Sequence, residues 1–290
     1  MLSILLPIYR LDPFPLVKEL HLQCIASGIP FEILVFDDSL EANSSIATSI
    51  NSLPHCNYHI HLKTLGRSGN RNALAQQAKG TVLLFLDGDM WPKSKNFIAD
   101  YIASSSHHPV VFGGIAYRET RPEKKYQLRW LFGQSREAYP LNKRTKNPYS
   151  TCFTSNLLIA KKVFDLYPFD ATLTAYGYED LLFIKTLQDN GIPIHHIENP
   201  AYHDGLEDAE IFLSKTAEAI RHAEKLLSMG KLGISDLRVV FWSHRLKKWG
   251  VQPLLAPILR LIAPALQKKL VGPCPRLWAL DAFKLYCLWR

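Results

Sequence analysis

The sequence predicts an α/β protein built on a mostly parallel sheet flanked by helices, on three observations. Short apolar runs alternate with stretches of helical period, the runs are continuous rather than alternating, and pairs of carboxylates stand where two of them end. Continuous apolar strands belong to parallel sheets, because helices cover both faces and every strand side chain is buried.

The elements follow in order. Leu2–Tyr9 reads as the first strand, and after Asp12 and two prolines a helical stretch runs to about Ser27. Phe31–Phe36 (FEILVF) is a second buried strand, ending in Asp37 and Asp38. Asn57–Leu62 is a weaker third strand. Ser68–Lys79 reads as a helix with Ser68 as its cap, entered through a loop that Gly66 and Gly69 make tight. Thr81–Leu86 is the fourth strand and runs straight into Asp87-Gly88-Asp89, where Gly88 is expected to permit the turn. Further on, Ile192–Ile197 reads as a short strand and residues 206–228 as an amphipathic helix. The polar, basic stretch 116–150 reads as a solvated loop or as a mobile segment facing an acceptor.

Ligands of such sheets gather at the carboxyl ends of the strands. Both acid pairs fall there, and four carboxylates in one crevice repel one another unless a cation or hydrogen-bond donors compensate. Asp and Gly also favour ordinary turns, so each pair alone says little, and their coincidence says more. Arg67 and Arg71, in the loop and helix between them, bring positive charge to the same edge, which suits phosphate.

Composition bounds the function. At 290 residues and 47% hydrophobic, the chain can bury a large core and is not disordered. Of the formal charge of +8, residues 231–290 carry eleven Lys or Arg against two Asp, a local +9 that leaves the first 230 residues near −1. A basic tail on a near-neutral body argues against nucleic acid as a partner and for a local anionic surface. The five cysteines are dispersed without a C-x-x-C pair, which fits a reducing compartment, and no cleaved signal precedes the first strand, so a cytoplasmic protein is expected. In the tail, four of the six tryptophans (Trp242, Trp249, Trp278, Trp289) lie among the basic residues, and the apolar run Val251–Leu266 is broken by Arg260 and three prolines. That is too short to span a bilayer but suits a helix lying on anionic lipid; a basic helical subdomain packed on protein is the alternative.

SILLPIYR, EILVFDDS, GRSGNRNALAQQAKG, TVLLFLDGD and GYEDLLFIKTLQDNGIPI, in this order, resemble the inverting, nucleotide-sugar-dependent enzymes of glycosyltransferase family 2, with a GT-A type fold, over roughly residues 1–215. The resemblance implies a catalytic domain at 1–215, with a nucleotide-sugar half at 1–115 and an acceptor half at 116–215, and a helical basic extension at 216–290. It implies that Pro7 to Tyr9 pack beside the nucleotide base and ribose, that Asp37 and Asp38 hydrogen-bond them, and that Asn70-Arg71-Asn72 stands for the family's Ala-Arg-Asn. Asp87 would face ribose and metal, and Asp89 a divalent cation, Mn²⁺ or Mg²⁺, on the diphosphate. In the Glu179-Asp180 pair Asp180 would be the general base, with His203 as a further metal ligand and Asn156 lining a substrate pocket. Arg67 would serve the donor phosphates. Processive relatives carry Gln-x-x-Arg-Trp after the Glu-Asp motif, whereas Gln127-Leu128-Arg129-Trp130 is one residue short and lies upstream, which disfavours processive synthesis.

The implied activity is transfer from a nucleotide-diphosphate sugar, expected to be a UDP-sugar, to a hydroxyl of a glycan or lipid-linked acceptor in cell-envelope polysaccharide synthesis, at the inner face of the plasma membrane. Two alternatives share the features: a sugar-nucleotide nucleotidyltransferase, which would release pyrophosphate, and a non-catalytic membrane-associated binding protein.

Overall fold

The structure, a computed structural model, describes residues 1–41, 44–173 and 177–290. The chain forms two compact units. The first comprises Met1–Arg118, Glu137–Thr174 and Glu179–Gly205, and the second Glu119–Arg136, Ala175–Tyr178 and Leu206–Arg290.

The first unit opens with β1 (Leu2–Ile8), α1 (Phe14–Ser27), β2 (Phe31–Asp37), α2 (Ser44–Asn51), β3 (Cys56–Ile60), α3 (Gly66–Gln77) and β4 (Val82–Leu86), of which α2 is the one element not expected from the sequence. These four strands pair in parallel in the order β3-β2-β1-β4. Every residue of β2 is buried, which is why its sequence shows no alternation. At the amino ends, Ser3 Oγ donates to Glu32 Oε1 at 2.6 Å and accepts from Gly80 N at 2.8 Å, so a buried polar link joins the starts of β1, β2 and β4.

Beyond β4 the chain leaves the parallel pattern. It forms β5 (Met90–Pro92), α4 (Phe97–Ser105), β6 (Val110–Phe112) and β7 (Ile115–Ala116), then α5 (Gln127–Arg136) and α6 (Leu141–Lys146). After these come β8 (Asn156–Ala160), α7 (Lys161–Leu166), α8 (Glu179–Asp189), β9 (His195–His196) and β10 (Ala201–His203). Strand β8 enters antiparallel between β4 and β6, and β9 closes a seven-stranded sheet, so the sheet is mostly parallel rather than wholly so. A small second sheet has the order β5-β10-β7. Of the expected strand Ile192–Ile197 only two residues pair, because their one neighbour is three-residue β6.

The stretch 116–150 is neither a solvated loop nor shapeless. It carries α5 and α6, and Arg144 of α6 is 1% exposed, donating to the carbonyls of Tyr139 and Ile197 at 3.0 Å. A guanidinium that satisfies backbone carbonyls can be buried, which a polar sequence does not reveal.

The second unit is helical: α5 with α9 (Ala209–Ser228), α10 (Arg238–Lys248), α11 (Gln252–Val271) and α12 (Leu277–Leu288). Leu128 of α5, Leu213 of α9, Leu266 and Leu270 of α11 and Leu280 and Phe283 of α12 share one core. Arg136 and Asp281 close it with a two-pronged ion pair at 2.7 and 2.6 Å. Among the described residues no helix is long and apolar enough to cross a membrane.

Phe85 of β4 is fully buried with its ring 5.1 Å from Phe164 and 6.0 Å from Phe169. Phe85→Ala is expected to cost about 3–5 kcal/mol and Phe85→Leu less, because leucine leaves a smaller cavity; denaturant unfolding followed by fluorescence and by circular dichroism checks the order.

Candidate functional site

Strands β1, β2 and β4 end on one edge of the sheet, with Ile8 level with Asp37. Tyr9, just past β1, is 58% exposed there, whereas Asp37 and Asp38 are buried. Asp37 accepts from Tyr58 Oη at 2.7 Å and Ser39 N at 2.8 Å. Asp38 accepts from Leu65 N at 2.7 Å and Gly66 N at 2.8 Å. Asp38 therefore caps α3 from a distant strand, meeting donors that the first turn leaves without intrahelical partners. Ser68, the expected cap, lies inside the helix, which starts two residues earlier, where the Asp38 carboxylate takes up the backbone donors. Beside Asp37 a cavity of about 670 Å³ opens, lined also by Arg10, Asp12, Ser39 and Tyr58.

The centre of the edge is Arg71, on the inner side of α3 and only 3% exposed. Its Nη2 donates to Asp87 Oδ1 at 2.7 Å and its Nη1 lies 3.9 Å from Asp180 Oδ1. Phe169 lies under the guanidinium, 5.5 Å from Cζ to ring centroid. Burial works against the Arg71 charge, but Asp87, Asp180 and Glu179 outweigh it, so its pKa stands above the ordinary arginine value. Arg71 thus serves two side chains, whereas Arg67 is half exposed and paired with Glu179 at 3.2 Å. Asp180, in the first turn of α8, also accepts a short hydrogen bond from Thr154 Oγ1. Burial raises the Asp180 carboxyl above the ordinary aspartate value; Arg71 opposes the rise, and Glu179 and Asp87 add to it.

Asp89 precedes β5, and the antiparallel β5–β10 ladder sets His203 opposite Met90. Their side chains meet, with His203 Nε2 3.7 Å from Asp89 Oδ2. A Cβ at Gly205 would fall 2.1 Å from that oxygen, so only glycine leaves the Asp89 carboxylate room. Gly88 is needed for a different reason from the one expected: its φ is not left-handed, and a Cβ would meet Ile8 Cγ2 at 2.6 Å. A carboxylate facing an imidazole fits Mn²⁺ or Mg²⁺ as a partial donor set. Among the described residues no third ligating side chain joins them, so an ion here would take its other ligands from phosphate or water.

The structure therefore brings Asp87, Arg71, Asp180 and Glu179–Arg67 into one cluster and pairs Asp89 with His203. Asn156, expected to line a pocket, is fully buried, because its amide is taken up by Tyr101 Oη, Gly114 O and Asn199 O.

The sequence matches the profile described as Glycosyl transferase family 2 over residues 3–167, more than half of the chain. The chain belongs to glycosyl transferase family 2. As a family member it is a glycosyltransferase of the inverting kind. Among curated proteins none matches the chain. Solved structures share its GT-A type fold. Mannosyl-3-phosphoglycerate synthase from Rubrobacter xylanophilus matches at 16% identity over 80% of this chain and 76% of its own, with a TM-score of 0.55. The mannosyltransferase PcManGT from Pyrobaculum calidifontis, solved with GDP-Man and Mn²⁺, matches at 14% identity over 99% of this chain and 85% of its own, with a TM-score of 0.52. TarS of S. aureus in its 1–349 form with UDP-GlcNAc matches at 15% identity over 99% and 89%, with a TM-score of 0.50; this chain spans 38% of the longer TarS chain.

Two side chains of this family 2 site escaped the sequence reading. Thr154 stands 26 residues before Asp180, and no spacing rule links them; only the entry of β8 beside β4 makes them neighbours. Tyr117 stacks on the His203 ring at 5.6 Å, and the one signal for it was an aromatic within a basic stretch.

Removing the cation at the centre leaves two carboxylates without their partner. Arg71→Met is expected to destabilise the first unit, toward the lower end of about 3–5 kcal/mol because Asp87 and Asp180 keep 29% and 30% exposure. Burial already holds the Asp180 carboxyl above its ordinary value and Arg71 opposes that rise, so without Arg71 the loss is full at neutral pH and shrinks as pH falls and Asp180 protonates. Urea titrations at neutral and mildly acid pH measure both.

Proposed function

We propose that the chain is a metal-dependent inverting glycosyltransferase that moves a sugar from a nucleotide-diphosphate sugar, expected to be a UDP-sugar, to a hydroxyl of a glycan or lipid-linked glycan. Cell-envelope polysaccharide synthesis at the cytoplasmic face of the plasma membrane, with the chain held peripherally, is the setting that a basic tail and a lipid-linked acceptor suggest. The observation that carries the chemical part is the Asp180 carboxylate, held by Thr154 and facing Arg71 at the edge where Asp87 and Asp89 stand.

An acceptor hydroxyl is a weak nucleophile, and a carboxylate within hydrogen-bond reach accepts its proton as it attacks the anomeric carbon. Asp180 suits this role because burial raises its proton affinity, while Arg71 and Thr154 favour its ionised form. Attack opposite the departing phosphate breaks the bond between the sugar C1 and the phosphate oxygen in one displacement, inverting C1 with no covalent intermediate. Pro7, Tyr9, Asp37 and Asp38 are proposed for the nucleoside; the cavity beside Asp37 and the exposed ring of Tyr9 support this. Asp87, Glu179 and Arg67 face the donor in this reading.

Asp89 and His203 would hold the divalent cation, whose charge would stabilise the leaving diphosphate; Asp87, expected as a further ligand, is bonded to Arg71 and is left to the donor ribose. The Mn²⁺ and GDP-Man bound to PcManGT and the UDP-GlcNAc bound to TarS support a cation and a nucleotide sugar here. Release of nucleoside diphosphate rather than pyrophosphate separates sugar transfer from nucleotidyl transfer.

Asp180→Asn is expected to lower kcat by about 10²–10⁴-fold with nucleotide affinity nearly unchanged; a matching loss of nucleotide binding in calorimetry would remove Asp180 from the role of base. In the wild type the acid limb of kcat should lie above the ordinary aspartate value of about 3.9, since a protonated Asp180 accepts nothing, and the limb should vanish in the variant. Chelation should abolish diphosphate release and Mn²⁺ restore it, with Asp89→Ala raising the Mn²⁺ concentration required.

A further inference from the structure

Helix α11 buries one side and leaves the other apolar as well. Ala263, Leu266 and Leu270 face the core of the second unit, whereas Leu254, Ile258 and Leu261 are 70%, 52% and 83% exposed, with Ile262 beside them. Positions 254, 258, 261 and 265 recur at i, i+4, i+7 and i+11, so they form one stripe along the solvent side. Trp242 of α10 and Trp249, just past its end, are exposed as well, and the Arg245 guanidinium lies 5.6 Å over the Trp249 ring.

The charge around this surface has one sign. From Arg238 to Val271 there are seven Lys or Arg, all exposed, and no Asp or Glu. Lys247 and Lys248 end α10, and Lys268 and Lys269 end α11, so cations stand at both ends of the apolar stripe. A symmetric pair of such faces would bring like charges together, whereas an anionic surface would meet them with opposite charge. Pro257 and Pro264 lack the N–H that would bond the carbonyls of Pro253 and Arg260, so those carbonyls need water or headgroup donors. That need places the helix at headgroup depth and not across the hydrocarbon.

We propose that the solvent face of α11, with Trp242 of α10 and Trp249 just past its end, is the surface by which this chain docks on an anionic lipid bilayer, lying in its interface with Leu254, Ile258 and Leu261 as anchors. This rests on the membrane half of the proposed function and not on its chemistry. Apolar side chains entering the acyl boundary and cations at the headgroups are additive in such binding.

Deleting the tail would strip Leu266, Leu270, Ala279, Leu280 and Phe283 from the core of the second unit, so the test uses surface substitutions in the full chain. The chain is sedimented with phosphatidylcholine vesicles with and without phosphatidylglycerol. The expected result is binding that weakens at least about tenfold without the anionic lipid, and also in Leu254→Asp/Leu261→Asp and in Lys268→Glu/Lys269→Glu, each with unchanged thermal unfolding. Anionic-vesicle binding that both double variants retain in full would overturn this face while leaving peripheral attachment elsewhere on the chain. No binding by the wild type would overturn both, and self-association seen in light scattering and lost in the Asp pair would assign the face to a second copy. Diphosphate release from the nucleotide sugar, assayed without vesicles, tests the chemical reading apart from all of these.

Discussion

One buried arginine organises the carboxylates of the sheet edge. Arg71 sits 3% exposed between Asp87, at the end of β4, and Asp180, at the start of α8, acids that are 93 positions apart in the chain. Two carboxylates facing each other at that edge would each disfavour the other's ionised form. A fixed, delocalised cation between them removes the conflict, and arginine suits the place because it stays protonated when buried. The edge can therefore present acids toward a ligand only because α3 carries a charge inward beneath them. Asp38 in turn holds the start of α3, so the second strand sets the helix that sets the arginine.

Around that centre the fold divides the labour of its two sheets. The seven-stranded sheet positions Asp37, Asp38 and Asp87 by strand register, which leaves little freedom once both faces are packed. The three-stranded sheet brings Asp89 and His203 together through a short antiparallel ladder, and Gly88 and Gly205 keep side chains out of the space they need. The ligands proposed for a metal and the base proposed for proton transfer thus stand on different elements. A substitution in one is not bound to disturb the other.

The second unit obeys a separate logic. Its core is made by small, aliphatic and aromatic side chains from α5, α9, α11 and α12, and it includes a segment that reads as part of a polar loop. Once α11 has buried Ala263, Leu266 and Leu270, its Leu254, Ile258 and Leu261 are left more than half exposed. Large apolar side chains clustered on one exposed face, with basic groups at its ends, mark an interaction surface rather than incidental exposure.

The sequence by itself determined the fold class, because continuous apolar runs and helical periods are local properties that burial on both faces imposes residue by residue. It also marked Asp37, Asp38, Asp87, Asp89, Glu179 and Asp180, since acids at strand ends and helix starts leave a local trace. It could not tell that Asn156 would be sealed inside, that Arg144 would be buried in what read as a loop, or that Thr154 would hold Asp180. Each of those depends on which strand lies beside β4, and β8 arrives there antiparallel from seventy residues away, a pairing that no local pattern encodes. The tertiary structure alone decided that Arg71 is sealed between two acids while Arg67, four positions earlier, stays half exposed. The two share one face of α3 and differ by a turn in depth: Arg67 stands at the helix start that Asp38 holds, and Arg71 lies a turn further in, where Asp87 and Asp180 cover it.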